Sequence, residues 1–433
     1  MSALEGISKI WKSKLGGATL IYTISTFFNS ATPFLLLPLL TRYLSTDEYG
    51  VVSMFNATVS MLTPFITMGA TTAIQRKIVE KDAATKEYVF NCLAVVIVSA
   101  CIVSLLVFFG CDSIVEWTGI PSVYLFDLML LAISTVLVDI ASIILQMNSR
   151  TKTYAVFQNC GTLLNLAISF ITIIGFGMGL RGRIYGLTYS KLVFAVIALF
   201  IIKREVGITP KPNKGHAKDI VFNFGLPMIP TLLKGTILTY TDRIFITNMV
   251  SISDTGIYSV GNQFSLPILL LEQAFNLAFV PWLYRKLEEG KGGDKYKIVK
   301  MTYLYDVAVL ALAVVWSAIS GPIIQVISGE DYYGASQYVF WLSLGYALTG
   351  MHMMVVNYIY YYKRVRLYSI VTIAVILSNC VLNYIFINLF GTVGAAIATM
   401  IANLLSLVFT WILVMRICDM PWNLRKRQKP EME

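Results

Sequence analysis

Lys234, Asp242 and Arg243 stand inside one apolar run, residues 220–249 (IVFNFGLPMIPTLLKGTILTYTDRIFITNM), long enough to cross a bilayer. A charge at the bilayer centre costs roughly 2.5 to 3.5 kcal/mol on insertion scales, so these side chains face a polar cavity or one another rather than lipid. Arg offers an oxyanion a planar fork and Lys a point charge, so the run predicts a polar path that suits an anionic group. Lys234 falls near mid-membrane and Arg243 in the outer third. Nine residues subtend about 900° on a straight helix, which sets the two on opposite sides. One therefore lines the cavity, and the other faces it in part or pairs within the bundle, with Asp242 or an acid on a neighbouring helix as the ion-pair partner of Arg243. Pro227 and Pro230 precede both residues, so a proline kink does not bring them together.

Other polar side chains interrupt the remaining apolar segments. Lys191 lies less than halfway in from the outer end of its segment, where cavity lining and snorkelling to the interface are equal readings. Arg42, Arg181 and Arg183 fall at the outer rim, solvated or facing lipid phosphates, with a head group leaving the path as their other partner. The acids Asp127, Asp139, Glu272 and Asp306 either neutralise these cations or carry a coupling ion, H+ or Na+. The deeper three, Asp139, Glu272 and Asp306, are the candidates for coupling. Asn56, Asn165, Asn262 and Asn379 read as hydrogen bonds of the scaffold, while Asn29 is the asparagine assigned to the cargo.

The elements that position these groups are membrane spans. Of 433 residues, 57% are apolar and 13% charged, and the mean hydropathy is +0.70, more apolar length than a soluble core uses. Twelve apolar segments recur, near 17–43, 49–75, 87–110, 122–147, 153–178 and 183–203, then 220–249, 254–283, 296–320, 335–361, 366–390 and 392–416. Of the 34 Lys and Arg, 28 fall on one set of alternate connections and the two ends. The positive-inside rule places both termini in the cytoplasm. The net charge of +10 is thus a topology signal and not a nucleic-acid footprint. The fold class is all-α integral membrane, with a six-helix lobe over 1–203, a basic cytoplasmic linker over 204–219, a second six-helix lobe over 220–416 and a basic cytoplasmic tail over 417–433.

The two lobes repeat each other. Residues 41–57 (TRYLSTDEYGVVSMFNA) align without gaps to 247–263 (TNMVSISDTGIYSVGNQ), pairing Ser45 with Ser251, Gly50 with Gly256, Ser53 with Ser259 and Asn56 with Asn262. A second match pairs Tyr154 and Asn165 with Tyr368 and Asn379. Six spans per half leave both halves in one orientation, related by a pseudo-twofold along the membrane normal with a central cavity between them. Continued backwards, the register sets Lys234, Asp242 and Arg243 against Phe28, Leu36 and Leu37, so the charges belong to the second half alone.

Residues 28–55 (FNSATPFLLLPLLTRYLSTDEYGVVSMF), 68–76 (MGATTAIQR), 241–246 (TDRIFI) and 256–259 (GIYS) resemble the bacterial polysaccharide flippases of the O-antigen type, within the multidrug/oligosaccharidyl-lipid/polysaccharide exporter superfamily. The resemblance covers the chain in span number, repeat and topology. It implies alternating access and transfer of an undecaprenyl-pyrophosphate-linked oligosaccharide from the inner to the outer leaflet of the bacterial inner membrane, for O-antigen or capsule assembly. It makes Arg243 of TDRIFI the first candidate for the pyrophosphate and Lys234 the second; Lys191, Arg42, Asn29 and Asp242 complete the expected binding set. Expected partners are the lipid-linked oligosaccharide, membrane lipids, a polysaccharide polymerase and a chain-length regulator.

Rival classes fare worse. A cation-coupled multidrug exporter of the same superfamily wants an acidic cavity, and these spans carry three basic residues. A membrane polymerase or ligase would present a sizeable outer loop, and none exists here. The stretch GKGGDK near Gly290 lacks phosphate-loop spacing, and the six cysteines lie singly, with no C-x-x-C. No metal-ligand spacing or nucleophile–base set is readable, so neither an enzyme nor a cofactor is expected.

Overall fold

Apolar runs of this length can cross a bilayer only as helices or closed barrels, because every backbone N–H and C=O must be paired internally. In the computed structural model, which describes residues 14–80, 84–289, 292–362 and 364–423, the described residues hold helices and no strand. Lys9, Lys12, the side chain of Lys234 and the basic tail beyond residue 423 lie outside the described residues.

The first half runs α1 (Lys14–Tyr43), α2 (Thr46–Thr67), the short α3 (Ala70–Glu80), α4 (Thr85–Phe109), α5 (Cys111–Thr118), α6 (Leu125–Met147), α7 (Thr151–Phe170) and α8 (Gly179–Glu205). A five-residue helix, α9 (Lys214–Lys218), and a π-helical turn (Asp219–Gly225) lead into α10 (Leu226–Met249). Then follow α11 (Ile252–Glu289), α12 (Gly292–Ile327), α13 (Ser336–Tyr361), α14 (Val365–Phe390) and α15 (Thr392–Ile417). Among the described residues eleven helices are long and apolar enough to span a membrane, at the places expected. The remaining expected span is α10, a 24-residue helix.

The repeat corresponds to helix starts. Ser45 caps α2 with a reciprocal box: Ser45 Oγ accepts from the Glu48 backbone, and the Glu48 carboxylate accepts from the Ser45 N–H. At the paired position the Asp254 N–H donates to Ser251 Oγ at 3.0 Å, starting α11 in the same way.

The chain divides into two compact units, Met1–Tyr240 and Thr241–Glu433, so the boundary falls inside α10. In the first unit α8 packs against α6 and α7. Gly186 presents bare backbone to α7, where a Cβ would collide with Ser169 Oγ, and Gly182 does the same to Thr172 just beyond the end of α7. Small residues four apart permit this approach, the usual device for helix association in lipid. Replacing Gly186 by Leu should therefore force α7 and α8 apart at a cost of about 1–3 kcal/mol, read as a lower melting midpoint of detergent-solubilised protein. In the second unit α13 packs on α11, α12 and α15, and α14 on α15. Phe264, Tyr338 and Tyr358 are fully buried there. Phe108 and Phe109 of α4, Phe126 of α6 and Ile370 and Leu377 of α14 are exposed, an outward apolar surface that lipid covers.

Candidate functional site

The TDRIFI motif lies in α10 just after the unit boundary, and consecutive residues on a helix point about 100° apart. Asp242, 4% exposed, turns into the bundle. Its carboxylate accepts from Tyr258 Oη of α11 at 2.6 Å, from Asn383 Nδ2 of α14 at 2.9 Å and from Thr399 Oγ1 of α15 at 2.5 Å. Asn383 Nδ2 also reaches the Asn379 side chain at 3.3 Å, and Asn383 Oδ1 is buried without a hydrogen-bond partner among the described residues. One carboxylate thus joins α10 to three other helices through oxygen and amide groups. The next residue, Arg243, is 7% exposed, and its Nε donates to Ser259 Oγ of α11 at 3.1 Å. Ser259 is the residue that the repeat pairs with Ser53.

Two deeper acids of the second unit are held differently. Glu272 of α11 is 1% exposed; its carboxyl rests against the backbone of Gly350 in α13, where a Cβ would fall on it. Neither of its oxygens has a hydrogen-bond partner of good geometry among the described residues. Asp306 of α12 is buried with Oδ1 likewise unpartnered, and Tyr305 lies within electrostatic reach of both acids. An ionised carboxylate without donors is among the costliest groups a bundle can bury. Asp139 of α6, in the first unit, lies instead within electrostatic reach of half-buried Lys191 of α8.

The remaining basic and amide candidates fall in the first unit. Asn29 is engaged between helices: Nδ2 donates to Ser25 O at 2.6 Å and to Asn159 Oδ1 of α7 at 3.4 Å, and Thr162 Oγ1 donates to its Oδ1. Arg42 is exposed in the last turn of α1. Arg181 is exposed too, its Nε donating to Tyr185 Oη at 2.8 Å. Arg183 departs from the expectation of a rim residue. It is buried between α8 and α7, with Nη1 donating to Asn165 Oδ1 and Ser169 Oγ, both at 2.8 Å, and with Nε unpartnered among the described residues. Of the repeat-paired asparagines, Asn165 and Asn262 bridge helices, the latter accepting from Tyr346 Oη at 2.7 Å. Asn56 donates along its own helix to Val52 O, and Asn379 accepts from Asn383 of its own.

Sequence reasoning missed Tyr258, Asn383 and Thr399 as the partners of Asp242, and it missed the burial of Arg183. For Asn383 a signal existed: Asn379 and Asn383 are four apart, hence on one face of α14. Among the described residues no group of three His, Cys, Asp or Glu side chains is placed to hold a metal ion.

Known proteins resemble this chain over most of its length. The family model described as "Polysaccharide biosynthesis protein" matches residues 15–287. The "Lsg locus putative protein 1" of Haemophilus influenzae is 24% identical over 81% of this chain and 86% of its own. The "Putative O-antigen transporter" of Shigella flexneri is 20% identical over 56% and 58%. Among solved structures, the lipid II flippase MurJ in an inward closed conformation superposes with a TM-score of 0.74 at 16% identity, over 92% of this chain and 87% of that one. An inward-facing multidrug resistance MATE family transporter superposes at 0.71 and 17%, over 94% and 96%. At these identities the two structures speak for the fold alone.

Proposed function

Because this chain belongs to the polysaccharide biosynthesis protein family, a multi-span helical protein of the bacterial inner membrane, we propose that it is a flippase for polyprenyl-pyrophosphate-linked oligosaccharides. It moves the unit from the cytoplasmic to the outer leaflet by alternating access, for O-antigen or capsule assembly, and delivers it to a polymerase with its chain-length regulator. The observation that carries this reading is Arg243, a guanidinium kept inside a membrane helix and oriented by Ser259. A buried Arg is costly, and a diphosphate passing through the bundle is the cargo whose charge it matches. Lys234 lies two to three turns away on the same helix and is the second candidate cation; Lys191, Arg42, Asn29 and Asp242 complete the proposed binding set.

The test is transfer in proteoliposomes. A labelled polyprenyl-pyrophosphate oligosaccharide should become accessible on the opposite leaflet faster than in protein-free vesicles. A protein that moved a cationic dye and left the lipid-linked sugar in place would be an exporter instead. Drive comes from H+ or Na+ taken up at the buried acids Glu272 and Asp306, with Asp139 beside Lys191 as the third candidate. Glu272→Gln preserves size and removes the charge, so this variant should keep its fold and basal transfer while losing acceleration by an imposed ion gradient. Undiminished acceleration would strike Glu272 from the coupling set.

A further inference from the structure

The connection between the halves reads in the sequence as a basic linker, yet the structure builds it onto the first unit. Asn91 of α4 is 3% exposed. Its Nδ2 donates to Glu87 O at 2.8 Å and to Lys211 O of the connector at 3.1 Å, and its Oδ1 accepts from the Asn213 N–H at 2.9 Å. One amide side chain thereby satisfies the backbone of an irregular segment that would otherwise need water. Asn213 answers with its own side chain: Nδ2 donates to Glu87 Oε1 at 3.0 Å, while Oδ1 caps α9 by accepting from the Gly215 N–H at 2.9 Å.

Two further attachments follow along the connector. Tyr88 Oη donates to Asp219 Oδ2 at 2.9 Å, at the start of the π-helical turn, and Lys77 Nζ stands 5.4 Å from the Tyr88 ring centroid. Hydrogen bonds from Asn223 and then Tyr88 hold the Asp219 carboxyl below the usual carboxylate range. At the far end Gly69, with φ +66°, lies against Gly225: a Cβ on Gly69 would stand 3.0 Å from Gly225 N, and one on Gly225 would stand 3.0 Å from Met68 O. Only glycine takes that conformation at no cost and leaves room for the opposing backbone.

We infer that the connector is a fixed strut rather than a tether, that Asn91 is its positioning residue, and that the strut stays docked while the transporter cycles. The base of α10 then travels with the first unit, and any change of shape between the halves is taken up beyond Gly225. The transport arm of this inference rests on the flippase reading, and the docking arm does not.

The full-length protein in inside-out vesicles tests docking by limited trypsin digestion after Lys214 and Lys218, the Lys211–Pro212 bond being refractory to trypsin. Asn91→Ala and, independently, Asn213→Ala should raise the cleavage rate about tenfold, with Asn91→Gln partly protected. Equal cleavage of wild type and of a variant that remains monodisperse would overturn the docking. For the cycle, Lys86→Cys with Thr209→Cys leaves Asn91 intact at a point where Thr209 N lies 3.4 Å from Lys86 O. Bridging the pair with a short bis-methanethiosulfonate, which joins each thiol through a reducible disulfide and releases methanesulfinate, should leave lipid-linked oligosaccharide transfer within about twofold of the unbridged protein. A loss of tenfold or more that a reducing agent reverses would show that the strut must open. If the wild type transfers no such cargo, the trypsin result still decides the docking, and only the flippase reading falls.

Discussion

Arg243→Ala should lower transfer of a polyprenyl-pyrophosphate oligosaccharide by about 10- to 150-fold while the protein still inserts and purifies as a single species. A charge-assisted hydrogen bond to a phosphate oxygen is worth about 1.5–3 kcal/mol, and each 1.4 kcal/mol is a factor of ten. The fold should tolerate the change because Ser259, the neutral hydroxyl that Arg243 Nε reaches, can bond along its own helix once released. Arg243→Lys keeps the charge and loses the fork, so an intermediate rate is expected. The measurement is leaflet accessibility of the labelled lipid in proteoliposomes matched for protein content. Wild-type rates in Arg243→Ala would remove this residue from the cargo contact and leave its burial to packing alone.

Asp242→Ala should act on stability before it acts on transport. Removing the carboxylate takes a shared acceptor from Tyr258 Oη, Asn383 Nδ2 and Thr399 Oγ1, each a donor from a different helix, while Asn383 keeps Asn379 as an acceptor. An unsatisfied buried polar group costs about 1–3 kcal/mol, and losing one member of a buried charged network costs about 3–5 kcal/mol. The expected result is a melting midpoint lowered well beyond that of Arg243→Ala, or protein that fails to purify as one species. Asp242→Asn retains an acceptor oxygen and should fall between the two. A melting curve unchanged in Asp242→Ala would mean that the three donors find other acceptors.

Much of this architecture was legible in the sequence, for physical reasons that can be named. The spans follow from apolar length, and eleven of the twelve expected segments coincide with helices long enough to cross a membrane. The repeat was visible because Ser45 and Ser251 must each begin a helix, and the capping requirement keeps residue type and spacing fixed. The partners of Asp242 were not legible, since Asn383 and Thr399 lie more than 140 residues away and only packing brings them to α10. Arg183 was misplaced because charge counting locates a residue by height and says nothing of direction. The neighbouring Gly182 and Gly186, four apart, were the available sign that this face of α8 is packed against another helix. By composition the connector is a basic linker, and its docking depends on one asparagine 120 residues upstream.

The docking of that connector also bears on the order in which the protein can be made. Asn91 emerges from the ribosome early, but its partners Lys211 and Asn213 follow some 120 residues later, after α8 has been synthesised. Tyr88 waits longer still, for Asp219. The amino-terminal half is therefore not a finished object when its sixth span enters the bilayer, because its last attachments are encoded beyond it. A nascent chain halted after Glu205 would leave the Asn91 amide group without the backbone it clasps. Insertion of the later spans begins with the segment that closes the earlier ones.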